Sequence, residues 1–101
     1  MKADRLDEFL ERVRDRETFL DFVDALIKDR EAAVAAEREN PTPFVGAVAD
    51  RGGWYNFTIE SYLEACLAWA TAGSERTPPR LPELPTWKAF AEFLYCGKVY
   101  E

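Results

Sequence analysis

Apolar residues recur at three- and four-residue intervals in four separate segments of the chain. This spacing places them on one face of an α-helix, whereas a half-buried strand would alternate apolar and polar residues. We therefore predict an all-α fold, a single domain of four helices covering about residues 4–14, 16–39, 58–72 and 86–96. With 101 residues, 48% of them hydrophobic, the chain can form one core without a metal ion or a disulfide.

The boundary between the first two helices has two interpretations. Asp15 has the chemistry of an N-cap and Glu17 suits the first helical turn, which predicts a break before residue 16. A column with a seven-residue repeat, as in a coiled coil, instead favours one continuous helix. The column consists of Leu6, Val13, Leu20, Ile27 and Val34. Charged residues such as Arg16 and Arg30 interrupt the second seam that a coiled coil needs, so we favour two helices.

The same periodicity predicts which side chains face the core and where the helices begin and end. The predicted core side chains are Phe19, Leu20, Phe22, Val23, Leu26, Ile27 and Val34 in the second helix; Ile59, Tyr62, Leu63, Cys66, Leu67 and Ala70 in the third; and Trp87, Phe90, Ala91, Leu94 and Tyr95 in the fourth. Thr58 and Thr86 are predicted N-caps, and Gly97 is the predicted end of the fourth helix.

Two long segments, residues 40–57 and 73–85, carry prolines and glycines between the helices. We predict that both are ordered loops packed on the helices. The first loop holds more aromatic surface than a solvated loop needs, in Phe44, Trp54, Tyr55 and Phe57. We expect these rings to fold back over the core.

The charge of the chain restricts its partners and its location. A net charge of −6 works against binding to nucleic acid and to an anionic membrane surface, and it allows a basic protein partner. No apolar run is long enough to span a bilayer, and the N-terminus lacks the apolar segment of a signal peptide. We therefore expect a cytoplasmic protein.

Most catalytic chemistry is disfavoured by the residue types present. The chain has no histidine, which excludes imidazole catalysis and histidine-bound zinc. Its two cysteines, Cys66 and Cys96, are expected to be free thiols, Cys66 as an apolar core filler, although their spacing allows a bridge. Five carboxylates at helical spacing are interpreted as solvated faces: Glu17, Asp21, Asp24, Glu60 and Glu64. We predict no catalytic residue, no metal ligand and no cofactor.

Aromatic residues give the one positive indication of a binding site. Trp and Tyr dominate binding hot spots, although they also make good core residues. A contact between Trp54 and Trp87 across the two loop-to-helix junctions would create a groove lined by Tyr55, Lys88 and Tyr100. As a second hypothesis, a face formed by Tyr62 and Trp69 would bind a partner or a second copy, which would make a homodimer.

Several blocks of the sequence resemble a family of small bacterial proteins known only as a domain of unknown function. The blocks are Asp15-Arg16-Glu17-Thr18-Phe19, Trp54-x-Asn56-x-Thr58-Ile59-Glu60-x-x-Leu63-Glu64-Ala65, Ala68-Trp69-Ala70, and the ending Trp87-Lys88-x-Phe90-Ala91…Leu94-Tyr95-x-Gly97-Lys98-x-Tyr100-Glu101. The resemblance runs from about residue 6 to the end, apart from the two proline-containing loops. It implies the domain limits, and it implies no activity or cofactor.

These observations favour a noncatalytic protein-interaction module that uses an acidic face and an aromatic groove. An alternative is an immunity or antitoxin-type protein that neutralises a basic toxin by charge complementarity. A third class is a small-ligand binder or an enzyme that uses carboxylates with Tyr and Trp in a pocket.

Overall fold

The computed structural model describes residues 5–41, 52–72 and 79–100. These residues contain four α-helices. They are α1 (Leu6–Glu11), α2 (Arg16–Glu39), α3 (Ile59–Ala72) and α4 (Trp87–Val99). The prediction of a single all-α domain with four helices is confirmed. Parts of both predicted loops lie outside the described residues, namely residues 42–51, which include Phe44, and residues 73–78. Their predicted order and packing therefore stay predictions.

The break between α1 and α2 is produced by Asp15 and Thr18. Asp15 has an extended backbone, and its carboxylate accepts a hydrogen bond from the backbone N–H of Thr18 at 2.9 Å. The Thr18 hydroxyl in turn accepts from the backbone N–H of Asp15 at 3.1 Å. This reciprocal capping satisfies N–H groups that the first turn of a helix leaves unpaired. The predicted N-cap is confirmed, and the alternative of one continuous helix is wrong.

The N-caps of α3 and α4 are also those predicted from the sequence. The Thr58 hydroxyl accepts from the backbone N–H of Ser61 at 3.0 Å, and the Ser61 hydroxyl accepts from that of Thr58 at 3.2 Å. Thr86 accepts from the backbone N–H of Ala89 at 3.0 Å. Each helix therefore begins where a hydroxyl replaces the missing helical acceptor.

The centre of the domain is α4, which contacts each of the other three helices. Among the described helices, α3 packs on α4 and does not pack closely against α2. The main core cluster lies between α1, α2 and α4. Its buried members are Leu6, Val13, Phe19, Phe22, Leu26, Ala33, Trp54 and Ala91.

The buried face of α2 is narrower than the face predicted from the sequence. Leu20, Ile27 and Val34 are 43%, 52% and 38% exposed, whereas the buried strip follows Phe19, Phe22, Leu26 and Ala33. Leu20, Ile27 and Val34 each follow a residue of the buried strip by one position, which is about 100° around a helix of 3.6 residues per turn. The heptad column that looked like a core therefore lies on the flank of α2.

The predicted inner face of α3 is also corrected. Ile59, Leu63 and Leu67 are 78%, 53% and 61% exposed, while Ala65 and Cys66 are buried. Because α3 packs on a single helix, α4 covers only one side of its broad apolar face. In α4, Trp87 and Phe90 remain 42% and 49% exposed, although both were predicted to face the core.

Gly97 does not end α4, which continues to Val99. It is buried where α3 crosses α4, beside the ring of Tyr62 and the thiol of Cys66. A Cβ atom at Gly97 would lie only 2.7 Å from the sulfur of Cys66 and would overlap the Tyr62 ring. The glycine is therefore required for the close approach of the two helices and not as a terminator.

We predict that Gly97→Ala destabilises the protein although alanine is the better helix former by about 1 kcal/mol. Overpacking at the crossing should lower the free energy of unfolding by about 1–3 kcal/mol, measured by urea denaturation. As a control, Ala68→Gly on the exposed side of α3 should cost only the propensity difference, about 0.5–1 kcal/mol. A more stable Gly97→Ala variant would contradict the close approach.

Candidate functional site

The segment that leads into α3, residues 52–58, is bound to the C-terminal turn of α4, and we call it the strap. The backbone N–H of Tyr55 donates to the carbonyl oxygen of Lys98 at 3.0 Å. The side-chain amide of Asn56 donates to the carbonyl oxygens of Gly97 and Tyr100 at 2.9 and 3.0 Å. The last carbonyl groups of a helix have no partner within the helix. The strap therefore supplies donors to carbonyl groups that the end of α4 leaves without a helical partner.

Trp54 anchors the strap in the core and is only 4% exposed. Its indole N–H donates to a carboxylate oxygen of Asp29 in α2 at 2.9 Å. The ammonium group of Lys98 in α4 donates to the same oxygen at 2.8 Å, with the Lys98 side chain 12% exposed. Burial of charged groups is tolerated when they are paired and hydrogen-bonded. This contact joins α2, the strap and α4 at one carboxylate.

Arg30 of α2 also contacts the strap, at Trp54 and Phe57. Its guanidinium carbon lies 5.1 Å from the centre of the Trp54 ring and 5.8 Å from the centre of the Phe57 ring. The guanidinium also donates to the carbonyl oxygen of Phe57 at 3.4 Å. A guanidinium over aromatic faces is attracted by their quadrupoles. Arg30 therefore fixes the strap where it turns towards α3.

A groove with a volume of about 420 Å³ lies between α2 and the start of α3, and we call it the α2–α3 groove. On one side it is lined by Leu26, Ile27, Arg30 and Glu31 of α2. The strap and α3 supply the remaining lining, Trp54, Asn56, Phe57, Thr58, Ile59 and Tyr62. A smaller hollow of about 280 Å³ adjoins it at Val34, Glu37 and Phe57. The groove is mainly apolar and open to solvent.

Exposed apolar side chains extend beyond the groove along both helices. Leu63 and Leu67 follow Ile59 at successive helical turns of α3, and Leu20 and Val34 lie one heptad on either side of Ile27 in α2. Patches of exposed apolar side chains, when they are large, mark binding sites on proteins. The surface of the α2–α3 groove is therefore a candidate site for a partner.

The two helices that flank the groove are acidic. α2 has seven acidic and four basic side chains, and α3 has two acidic and no basic ones. On α2, Asp24 and Glu31 are exposed at the −3 and +4 positions relative to Ile27. On α3, Glu60 and Glu64 are exposed next to the apolar stripe. The Lys28 ammonium pairs with Asp24 at 2.8 Å and offsets part of this charge. The groove thus has an acidic rim.

The residues of the predicted aromatic groove lie at opposite ends of α4. Trp54, Tyr55 and Tyr100 are at its C-terminal end, as described above. At the N-terminal end, Trp87 lies 5.2 Å from the ring of Phe19, and Lys88 donates to the carbonyl oxygen of Glu11 at 3.1 Å. Positions 87 and 98 are about 16 Å apart along the helix at 1.5 Å per residue. The structure therefore does not bring Trp54 and Trp87 together.

The two residues of the predicted partner face contact other parts of the same chain. The Tyr62 hydroxyl donates to the carbonyl oxygen of Leu94 at 2.6 Å, and its ring lies 6.0 Å from that of Trp54. The Arg80 guanidinium lies 5.9 Å from the ring centres of both Trp69 and Tyr100. Both side chains are half-buried. The more exposed side of α3 is the stripe of Ile59, Leu63 and Leu67.

Sequence reasoning missed this stripe because it assigned those side chains to the core. A usable signal was present, since the apolar arc of α3 is wider than one neighbouring helix can cover. The roles of Asp29 and Arg30 were also missed. Nothing in their local sequence distinguishes them from the other charged residues of α2, because their partners are distant along the chain.

Cys66 and Cys96 are both free thiols, and Cys66 is fully buried, as expected of a core filler. Burial raises the pKa of the Cys66 thiol. The pKa of Cys96 is raised to about 11, mainly by burial and secondly by electrostatic interaction with Cys66. Burial also raises the pKa of Tyr62 above its usual range. These groups are therefore neutral at physiological pH.

We predict that both thiols react slowly in the native protein. A pKa of about 11 leaves Cys96 about 100-fold less ionised at neutral pH than an ordinary thiol, and the thiolate is the reactive form. Reaction with a chromogenic disulfide reagent should be at least about tenfold slower in buffer than in urea. Cys66→Ala should leave Cys96 slow, because burial is the larger cause. A thiol that reacts equally fast in both conditions would contradict this environment.

Asn56→Asp is predicted to destabilise the protein severely, although the side chain keeps its shape. The carboxylate cannot donate to Gly97 and Tyr100, and it places negative charge against carbonyl oxygens at a helix C-terminus. We expect the free energy of unfolding to fall by about 3 kcal/mol in urea denaturation. The matched control is Asn40→Asp, which adds the same charge at the exposed end of α2 and should cost less than about 1 kcal/mol. Equal losses would contradict a specific role for Asn56.

No metal site is found within residues 5–41, 52–72 and 79–100, where no group of three or more cysteine or acidic side chains could hold an ion. Among the helices of these ranges, none has the length and apolar character needed to cross a membrane. The five carboxylates interpreted as solvated faces, Glu17, Asp21, Asp24, Glu60 and Glu64, are all exposed.

A family model covers most of the structure. The model of the family of unknown function DUF7660 matches residues 15–101, from the N-cap of α2 through the strap and both helices of the groove to the end of the chain. The chain belongs to this family. Membership in DUF7660 confirms the resemblance to a domain of unknown function, while α1 lies before the matched region. No curated protein and no solved structure matches the DUF7660 chain.

Proposed function

We propose that this DUF7660 protein is a noncatalytic protein-interaction module and that the α2–α3 groove is its binding surface. The observation that carries the proposal is the exposed stripe of Ile59, Leu63 and Leu67, which faces solvent beside an apolar groove. Three large aliphatic side chains on successive turns of one helix are unfavourable in water. A partner that covers them would remove this cost.

Burial of this surface would contribute to the affinity of a complex, and the costs of association and ordering offset part of that gain. Full burial of a leucine or isoleucine side chain contributes about 1.5–3 kcal/mol relative to full exposure. Ile59, Leu63 and Leu67 are each more than half exposed, as are Phe57 of the strap and Ile27 on the α2 side of the groove. A central cluster of apolar anchors with a polar rim is the usual arrangement of a protein interface.

The groove is also held in shape before a partner binds. Trp54 is buried behind it, and Arg30 fixes Phe57 through the contacts described above. Tyr62 is tied to α4 by its hydroxyl. A preorganised surface loses less conformational entropy on binding, which leaves more of the burial energy for affinity.

Binding is favoured over catalysis by the state of the polar groups near the groove. The Asn56 amide donates to two carbonyl oxygens of α4, and the Arg30 guanidinium is held against two aromatic rings. Cys66 and Cys96 lie outside the groove lining, and burial raises the pKa of both thiols, which reduces the reactive thiolate fraction at neutral pH. The groove therefore offers apolar surface and an acidic rim, while Asn56 and Arg30 serve the fold.

A photo-crosslinking residue placed at Leu63 in the host cell should give a discrete adduct with a partner protein. The matched control is the same residue at Leu84, which is 80% exposed but outside the groove lining. Adding Ile27→Ser to the Leu63 protein should remove the adduct without unfolding the chain, because Ile27 lines the groove and is 52% exposed. No adduct at Leu63, or the same adducts at Leu63 and Leu84, would contradict the proposal.

A further inference from the structure

We infer that the segment bound in the α2–α3 groove is an amphipathic α-helix whose apolar stripe is flanked by lysine or arginine. This inference rests on the proposed function and specifies the partner that the groove accepts. It follows from the dimensions of the two helices and from the sign of the charge along their edges.

The exposed apolar columns that extend from the groove along α2 and α3 are long enough to hold a helix. The exposed column of α2 from Leu20 to Val34 is about 21 Å long, and the stripe of α3 from Ile59 to Leu67 is about 12 Å long. A helix of about 14 residues covers the longer of these lengths. Two helical edges with an apolar floor are the arrangement used when an amphipathic helix binds in a groove, with anchors at i, i+3, i+4 and i+7.

The charge of the groove edges selects a basic helix. Asp24 and Glu31 lie along one edge and Glu60 and Glu64 along the other, and α3 carries no basic side chain. The two cations of the α2 edge are already engaged, Lys28 with Asp24 and Arg30 with the strap, so Glu31, Glu60 and Glu64 leave the edges negative overall. Lysine and arginine on either side of a ligand stripe would face these carboxylates. Their aliphatic stems would cover the apolar border while the charged ends remain in water. Complementary charge of this kind favours the correct partner and speeds association.

The same charges disfavour a second copy of the chain as the occupant. Two copies paired through this surface would bring the acidic edges of both molecules together, in a protein with a net charge of −6. Like charges juxtaposed at an interface oppose its formation. The acidic edges of the groove therefore favour a basic partner over a homodimer.

The experiment uses the full chain and two synthetic helical peptides of about 15 residues with the same leucine stripe. One peptide has lysine on both sides of the stripe and the other has glutamate. In fluorescence anisotropy the lysine peptide should bind at least about tenfold more tightly, and added salt should weaken it. Leu63→Ser should weaken its binding by at least about tenfold, whereas Leu84→Ser should not change it. Glu60→Lys combined with Glu64→Lys should remove most of the preference for lysine.

Three results would overturn the inference: no binding of either peptide, equal binding of both, or equal losses for Leu63→Ser and Leu84→Ser. A dimer seen by light scattering that Leu63→Ser converts to monomer would also overturn it, because a second copy would then occupy the groove. If the photo-crosslinker at Leu63 still captures a partner, the interaction role stands and only the basic helix is wrong. If it captures none, the interaction role itself fails, whatever the peptides do.

Discussion

The hydrogen bonds between the strap and the C-terminal turn of α4 are the contacts on which the rest of the structure depends. The end of α4 presents carbonyl groups that its own backbone cannot satisfy. Asn56 and the backbone of Tyr55 supply the donors, and Trp54 extends the connection to Asp29 in α2. Because the strap leads directly into α3, these bonds determine where α3 begins relative to α2 and α4.

This position of α3 explains why the domain has an open groove. Gly97 allows α3 to approach α4 closely, while Trp54 and Phe57 of the strap occupy the space near α2. A small domain with three helices around a central fourth has too little surface contact to cover every apolar side chain. Most of the large apolar side chains that stay exposed lie on α2, the strap and α3, where binding of a partner is proposed.

The fold was largely predictable from the sequence because its determinants are local. Helical periodicity identified four helices, and Asp15, Thr58 and Thr86 cap them as predicted. The site was not predictable in the same way. The aromatic hypothesis joined Trp54 to Trp87 because both precede helices, but they lie at opposite ends of α4. Periodicity shows which face of a helix is apolar. Only the packing of whole helices decides how much of that face is covered.

Residue-resolved amide hydrogen exchange of the native protein tests the role of the strap most directly. The N–H of Tyr55 lies outside any helix and is 41% exposed as a residue, yet it donates to the carbonyl oxygen of Lys98. If the strap is part of the cooperative core, this amide should exchange about as slowly as the amides in the middle of α4, within roughly tenfold. Exchange of Tyr55 at the rate of an unprotected loop, while α4 remains protected, would show that the strap does not hold the fold together.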